Sequence, residues 1–155
     1  MKTRIWLAVI ITFGMIACGK DNFETKPQLE YLSRNTEVVE VGQAFRVNVE
    51  FRDKEGDVSD TLFIVRQRLN KKGPVQLAAS YYLIPDFPKT DKGEFEITLD
   101  YSQQLTAALS AIPIPGSGNP SKKEIDTLRI KILARDLGGN KSDTLVVDNV
   151  YVKRM

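Results

Sequence analysis

The chain has 155 residues, with 22 lysines and arginines against 20 aspartates and glutamates, and a formal charge of +2. It contains no histidine, one cysteine and one tryptophan. Without imidazole, Ser-His-Asp and Cys-His catalysis and most zinc centres with nitrogen ligands are excluded, and a lone cysteine excludes an intramolecular disulfide. No lysine- or arginine-rich run is present to follow a phosphate backbone, so nucleic acid is not an expected partner. Lys71-Lys72 and Lys122-Lys123 are isolated pairs beside Gly or Ser, as in solvated turns.

The first element is an export signal. Lys2 and Arg4 precede an almost wholly apolar run from Ile5 to Ile16, and Ala17-Cys18 follows. A basic start, a short apolar run and a small residue are the parts of a secretory signal peptide. The run is shorter than the ~20 residues that span a bilayer. Met15-Ile16-Ala17-Cys18 resembles the lipobox of bacterial lipoproteins. That resemblance implies cleavage between Ala17 and Cys18, a thioether diacylglyceryl on Cys18, and an acyl group on its new amine. Residues 1–17 are then the signal peptide, 18–28 the lipidated cysteine and a flexible tether, and 29–155 the domain. The expected site is the outer membrane of a bacterial cell envelope, facing the periplasm or the exterior, with the membrane itself a partner through the lipid. Two or more acyl chains hold stably, at about 0.8 kcal/mol per buried methylene. Lys2, Arg4 and Trp6 leave with the signal, so the remainder carries a charge near zero and no tryptophan. Lys20-Asp21 is similar to the surface-export signal of Bacteroidetes-type lipoproteins, with Asn22 where a second acid is usual.

After the tether, which is polar and contains Pro27, the hydrophobic period is two. Phe45, Val47, Val49 and Phe51 alternate with polar residues, as do Phe95, Ile97, Leu99 and Tyr101. Leu128, Ile130, Ile132 and Ala134 alternate with Arg129, Lys131, Leu133 and Arg135. Such segments are strands with one face on a core and one in water. Weaker strands are expected over 36–41, 61–69, 75–84 and 144–153, the last with a bulge at Asp148-Asn149. Phe51, Ile97, Leu99 and Ile130 are expected inside, and Glu50, Glu96, Thr98 and Lys131 outside. In the fourth strand, alternation places Tyr81 in the core with Val75, Leu77 and Ala79, and Tyr82 on the other face.

These strands, with turn signals between them, predict an all-β fold: a single immunoglobulin-like Greek-key β-sandwich of about seven strands, with a short helix between strands five and six. The alternative is a jelly roll or small barrel. The helix is placed by Leu105, Ala108, Leu109 and Ile112 at i, i+3, i+4 and i+7, and Pro113 and Pro115 stop it. An apolar helical face there plugs one end of the core; the alternative is a projecting loop carrying Ile112 and Ile114.

A short internal echo follows from the same reading. The segment from Arg52 to Leu62 and that from Arg135 to Leu145 share Arg, Asp, Gly, Ser, Asp, Thr and Leu in register. Each copy links an alternating strand to the next, and in an immunoglobulin-like sandwich these two connections lie side by side at one end. Asp53, Glu55, Asp57 and Asp136 would gather there, and such hard oxygen ligands suit Ca²⁺. The first loop is also similar to the Asp-x-Asp-Gly-Asp turns of extracellular β-sandwich repeats, cadherin-like domains among them, with Glu55 in place of the middle Asp. It is not an EF-hand loop, because Gly56 falls too early and no glutamate follows at the twelfth position. The competing explanation is ordinary turn chemistry, with Arg52 and Arg135 neutralising the same acids.

The expected function is a non-catalytic binding or structural module at the cell envelope, with a protein or glycan ligand. Tyr81, Tyr82, Phe87 and Tyr101 are the aromatics a sugar would stack on, which makes a carbohydrate-binding accessory of polysaccharide uptake the second expectation. The third is a small carboxylate-dependent hydrolase, which would need two acids about 5–10 Å apart in a cleft.

Overall fold

The computed structural model describes residues 25–119 and 121–155. The signal segment, Cys18 and the tether as far as residue 24 lie outside the described residues. Nine strands are described: β1 Gln28–Arg34, β2 Val38–Val39, β3 Phe45–Arg52, β4 Thr61–Arg68, β5 Val75–Gln76, β6 Ser80–Leu83, β7 Lys92–Leu99, β8 Asp126–Arg135 and β9 Leu145–Val152. They form two sheets. One has the order β1-β3-β7, and the other β2-β9-β8-β4-β5, with β6 also paired to β4. Only the short β2 runs parallel to its neighbour, β9. This is the all-β sandwich that the alternation predicts.

The core lies between the sheets. The apolar residues of β3 and β7 meet those of β4, β8 and β9, and Phe45, Val47, Val49, Leu128, Ile130 and Ile132 are fully enclosed. Strict alternation along β8 turns Leu128 to Ala134 inward and leaves Arg129, Lys131, Leu133 and Arg135 half-buried. Gly93 is demanded by packing: a Cβ there would stand 2.6 Å from the Phe51 ring.

Four places depart from the expectation. β1 is an additional strand. It is an edge strand, exposed over most of its length, and Leu29 to Arg34 carries no alternation by which to see it. The second departure concerns Tyr81, which is on the outer face and 69% exposed, while Tyr82 packs against the core. Leu77 bonds to Arg66, yet Ser80 stands opposite Ile64, so one strand spends three residues where its partner spends two. That extra residue is a bulge, and a shift of one residue exchanges the two faces. The expected bulge in β9 has the same effect: Asn149 adopts φ +57°, and Val147 and Val150 both face inward. Third, Glu50 is buried rather than exposed, because it lies on the central strand of its sheet between Arg52 and Lys92.

The fourth is the helix, which is a single wide turn, Tyr101–Leu105. The amides of Leu105 and Thr106 bond to carbonyls five residues back. Asp100 caps it by accepting from the amides of Ser102 and Gln103, and Ala108, at φ +60°, prevents its continuation. Leu105 and Leu109 are buried in the core, so this part of the segment is the plug, while Ile114 is exposed on the hairpin that follows it. Arginines hold its carbonyls: Arg66 bonds to Ala107 at 3.3 Å, Arg68 to Ser110 at 2.8 Å, and Arg154 to Leu109. Arg68 and Arg154 also flank the fully buried Asp126, which ties the C-terminal residues to the same end.

Candidate metal centre

The two echo loops do lie side by side. The amide of Leu137 in the second donates to the carbonyl of Asp57 in the first at 3.0 Å. The likeness in sequence is also one of backbone. In the first loop, Gly56 N–H bonds to the Asp53 carbonyl, and Asp57 N–H to Asp53 Oδ2 at 2.9 Å. In the second, Gly139 N–H bonds to the Asp136 carbonyl, and Asn140 N–H to Asp136 Oδ1 at 2.7 Å. Each loop is therefore a tight turn closed by its own leading aspartate. The glycine supplies the left-handed residue, at φ +66° in Gly56 and +86° in Gly139. Gly56 is further fixed by the backbone of Thr90, 3.0 Å from where a Cβ would stand.

This arrangement brings together three of the four expected ligands. Asp53, Asp57 and Asp136 each offer a carboxylate oxygen, all within 4.8 Å of one another. Asp53 and Asp136 are buried and Asp57 is half-buried. Glu55 is exposed at the tip of its turn and outside the cluster. Asp136 is partly satisfied, since its Oδ2 accepts from the Asn140 side chain at 2.9 Å. Asp53 Oδ1 and Asp57 Oδ1 are both buried and accept no hydrogen bond.

The arginines that were to neutralise these acids bind others. Arg52 pairs with Glu50 at 2.7 Å and Glu30 at 3.3 Å, on the outer face of β3. Arg135 pairs with Asp60 at 2.5 Å and holds that carboxyl below the usual range. Burial, and then the carboxylates of Asp57 and Asp136, push Asp53 up to about 6 despite the Asp57 amide. The chain also enters the sandwich at this corner. Asn140 Nδ2 donates to the Thr25 carbonyl at 3.4 Å, and Lys26 pairs with Asp143 at 3.2 Å. Nothing in the sequence marked that junction.

Two surface features could receive an organic ligand. A recess of about 500 Å³ lies between the segment 84–90 and the start of β7. Phe51 forms its floor, with the rings of Phe87 and Phe95 at 5.3 and 5.7 Å. On the outer face of the larger sheet, Tyr81 stands edge-on to Phe63 at 5.2 Å, and Arg135 and Lys141 each lie 5.7 Å from the Phe63 ring centre. Of the other aromatics singled out, Tyr101 is buried, and its hydroxyl donates to the Lys153 carbonyl. Among the described residues no helix is long and apolar enough to cross a membrane.

No family model matches the chain, and no curated protein matches it. Among solved structures, it is similar to Spo0M, a sporulation control protein from Bacillus subtilis, at 10% identity and a TM-score of 0.42, over 84% of this chain and 50% of that one. It is also similar to part of a beta-glucosidase from Listeria innocua, at 11% identity and a TM-score of 0.40, over 83% of this chain and 16% of that one. The chain thus spans half of the first protein and a small part of the second. Function has to be argued from the chain's own residues.

Proposed function

We propose that the chain is a lipid-anchored, non-catalytic binding or structural module of the bacterial cell envelope, held at the outer membrane through Cys18. The position of Cys18 carries this proposal: it is the only thiol, it ends the apolar run, and it precedes the first described residue by seven positions. A folded β-sandwich whose root is tied down at Thr25 and Lys26 suits a module on a short tether. Metabolic labelling with an alkyne fatty acid tests the anchor. The wild-type chain should incorporate label, and Cys18→Ala should lose it and leave the membrane fraction. Undiminished label in the variant would overturn the anchor.

Tyr81 favours a second function, glycan binding. Its ring is open to solvent and braced edge-on by Phe63, whose own ring carries Arg135 and Lys141. A planar aromatic face of this kind stacks on the apolar face of a sugar. A glycan array should then show a defined set of ligands that Tyr81→Ala abolishes. Failure of the wild-type chain to bind any glycan would remove this second function and leave the anchor untouched.

A further inference from the structure

We propose that Asp53, Asp57 and Asp136 bind one divalent cation of the size of Ca²⁺, which fastens the two echo loops to each other. Three observations carry this beyond a gathering of acidic residues. First, Asp53 is fully enclosed, its carboxylate offers an oxygen to the cluster, and its Oδ1 has no hydrogen-bond partner; Asp57, which also offers an oxygen, likewise has a buried Oδ1 without a partner. A buried polar atom with nothing to bind is costly, and two on adjacent carboxylates ask for a single positive partner. Second, the two arginines of the echo serve elsewhere, Arg135 on Asp60 and Arg52 on Glu50 and Glu30. Third, the spacing fits. Oxygens bound 2.3–2.6 Å from one Ca²⁺ lie at most about 5 Å apart, and these lie within 4.8 Å. Mg²⁺ demands near-ideal octahedral geometry at about 2.0–2.1 Å and gives up its waters reluctantly, so a cage of three aspartates suits it less well.

The loop backbones are already shaped for this. Asp53 Oδ2 and Asp136 Oδ1 each hold their own turn closed, so two of the three ligands are oriented before any ion arrives. Asp57, half-buried, lies on the side open to water, from which the remaining coordination positions would be filled. Cation binding would thus act between β3–β4 and β8–β9, where Leu137 N–H to Asp57 O is the backbone bond already present. It does not depend on whether Cys18 is acylated.

The test uses the full chain in neutral detergent, stripped with chelator and titrated with CaCl₂ or MgCl₂. Ca²⁺ should raise the melting temperature saturably, by linkage to the folded state, with calorimetry giving a dissociation constant in the range of extracellular sites, about 10⁻⁴–10⁻³ M. Mg²⁺ should do so more weakly. Asp57→Asn is the informative variant, because its side chain holds no turn closed. It should weaken Ca²⁺ binding at least tenfold, and its metal-free form should melt higher than metal-free wild type, since one of three repelling charges is gone. Glu55→Gln should bind as wild type does. No saturable heat or melting shift up to about 10 mM Ca²⁺, or undiminished binding by Asp57→Asn, would overturn the site. Mg²⁺ acting more strongly than Ca²⁺ would overturn its assigned size.

Discussion

With its carboxyl removed from water and faced by Asp57 and Asp136, Asp53 is pushed up to about 6. The sign of the consequence follows from linkage. The folded chain holds this proton more tightly than the unfolded chain, whose aspartates titrate near ~3.9. The stability it contributes is fully present below that value and is lost as pH rises through about 6. In chelator, the melting temperature of wild type relative to Asp53→Asn should therefore fall between about pH 4 and pH 6.5. Thermal melts of both proteins across that range check this, and parallel curves would show that another group is responsible. Glu50 makes the opposite case. Its cross-strand neighbours are Glu30 and Glu94, yet hydrogen bonds from Lys92, the largest cause, and Arg52 hold its carboxyl below the usual range. Both residues are buried carboxylates beside other carboxylates, and what separates them is a cation within reach. Sequence alternation placed Glu50 outside because it counts faces and not depth. On the middle strand of a sheet, the long side chains of Arg52 and Lys92 cover what lies between them.

The strands divide by how regularly they pair. β3, β7 and β8 pair without interruption over the stretch from Phe45 to Arg52 and from Thr61 to Arg68, and their inward residues were readable from period two alone. Ile130 is the centre of this set, fully buried between β4 and β9. Ile130→Ala should destabilise the fold by about 2–5 kcal/mol through lost burial and the cavity left behind. Denaturant unfolding measures it, and Lys131→Ala, on the half-exposed face, should cost far less. Where a bulge intervenes, the pattern before it says nothing of the face after it. The Asp148-Asn149 bulge was legible because two turn-forming residues interrupt an apolar strand. The one before Ser80 was not, because Ala78 and Ala79 carry no turn chemistry, and Tyr81 was therefore assigned to the wrong side. The wide turn at Tyr101–Leu105 was not legible: the apolar spacing read as a helix runs from Leu105 to Ile112, and only Leu105 of it lies in the turn. The left-handed backbone at Ala108, which keeps the expected helix from forming, is a geometry that no residue type announces.

Across the whole molecule, the most informative sequence feature was the echo between Arg52–Leu62 and Arg135–Leu145. The repeat fixed which two connections resemble each other, and the Greek-key order of a sandwich brings such connections together. Their shared hydrogen-bond pattern explains why the residues recur: Asp closes the turn, Gly permits it, and the fourth residue after the Asp supplies the amide. What the sequence could not show was the depth at which Asp53 and Asp136 sit, because burial at a corner depends on neighbours such as Thr90 that are distant along the chain. Nor did it show that Asp126, between Arg68 and Arg154, would lock the opposite end.

The entry of the chain at Thr25, beside Asn140, gives the molecule a foot and a head. β3 and β8 both run from the plug to the echo corner, so the two ends stand about 25 Å apart, from the rise of an eight-residue strand. If Cys18 is fixed in the bilayer, the seven residues 18–24 can extend at most ~25 Å. The foot, with its aspartates, is then held within that distance of the bilayer surface, and the opposite end is carried outward. The head is the end closed by Leu105 and Leu109, with the hairpin joined at Pro113 and Lys123 beside it. A partner approaching from outside would meet that end first.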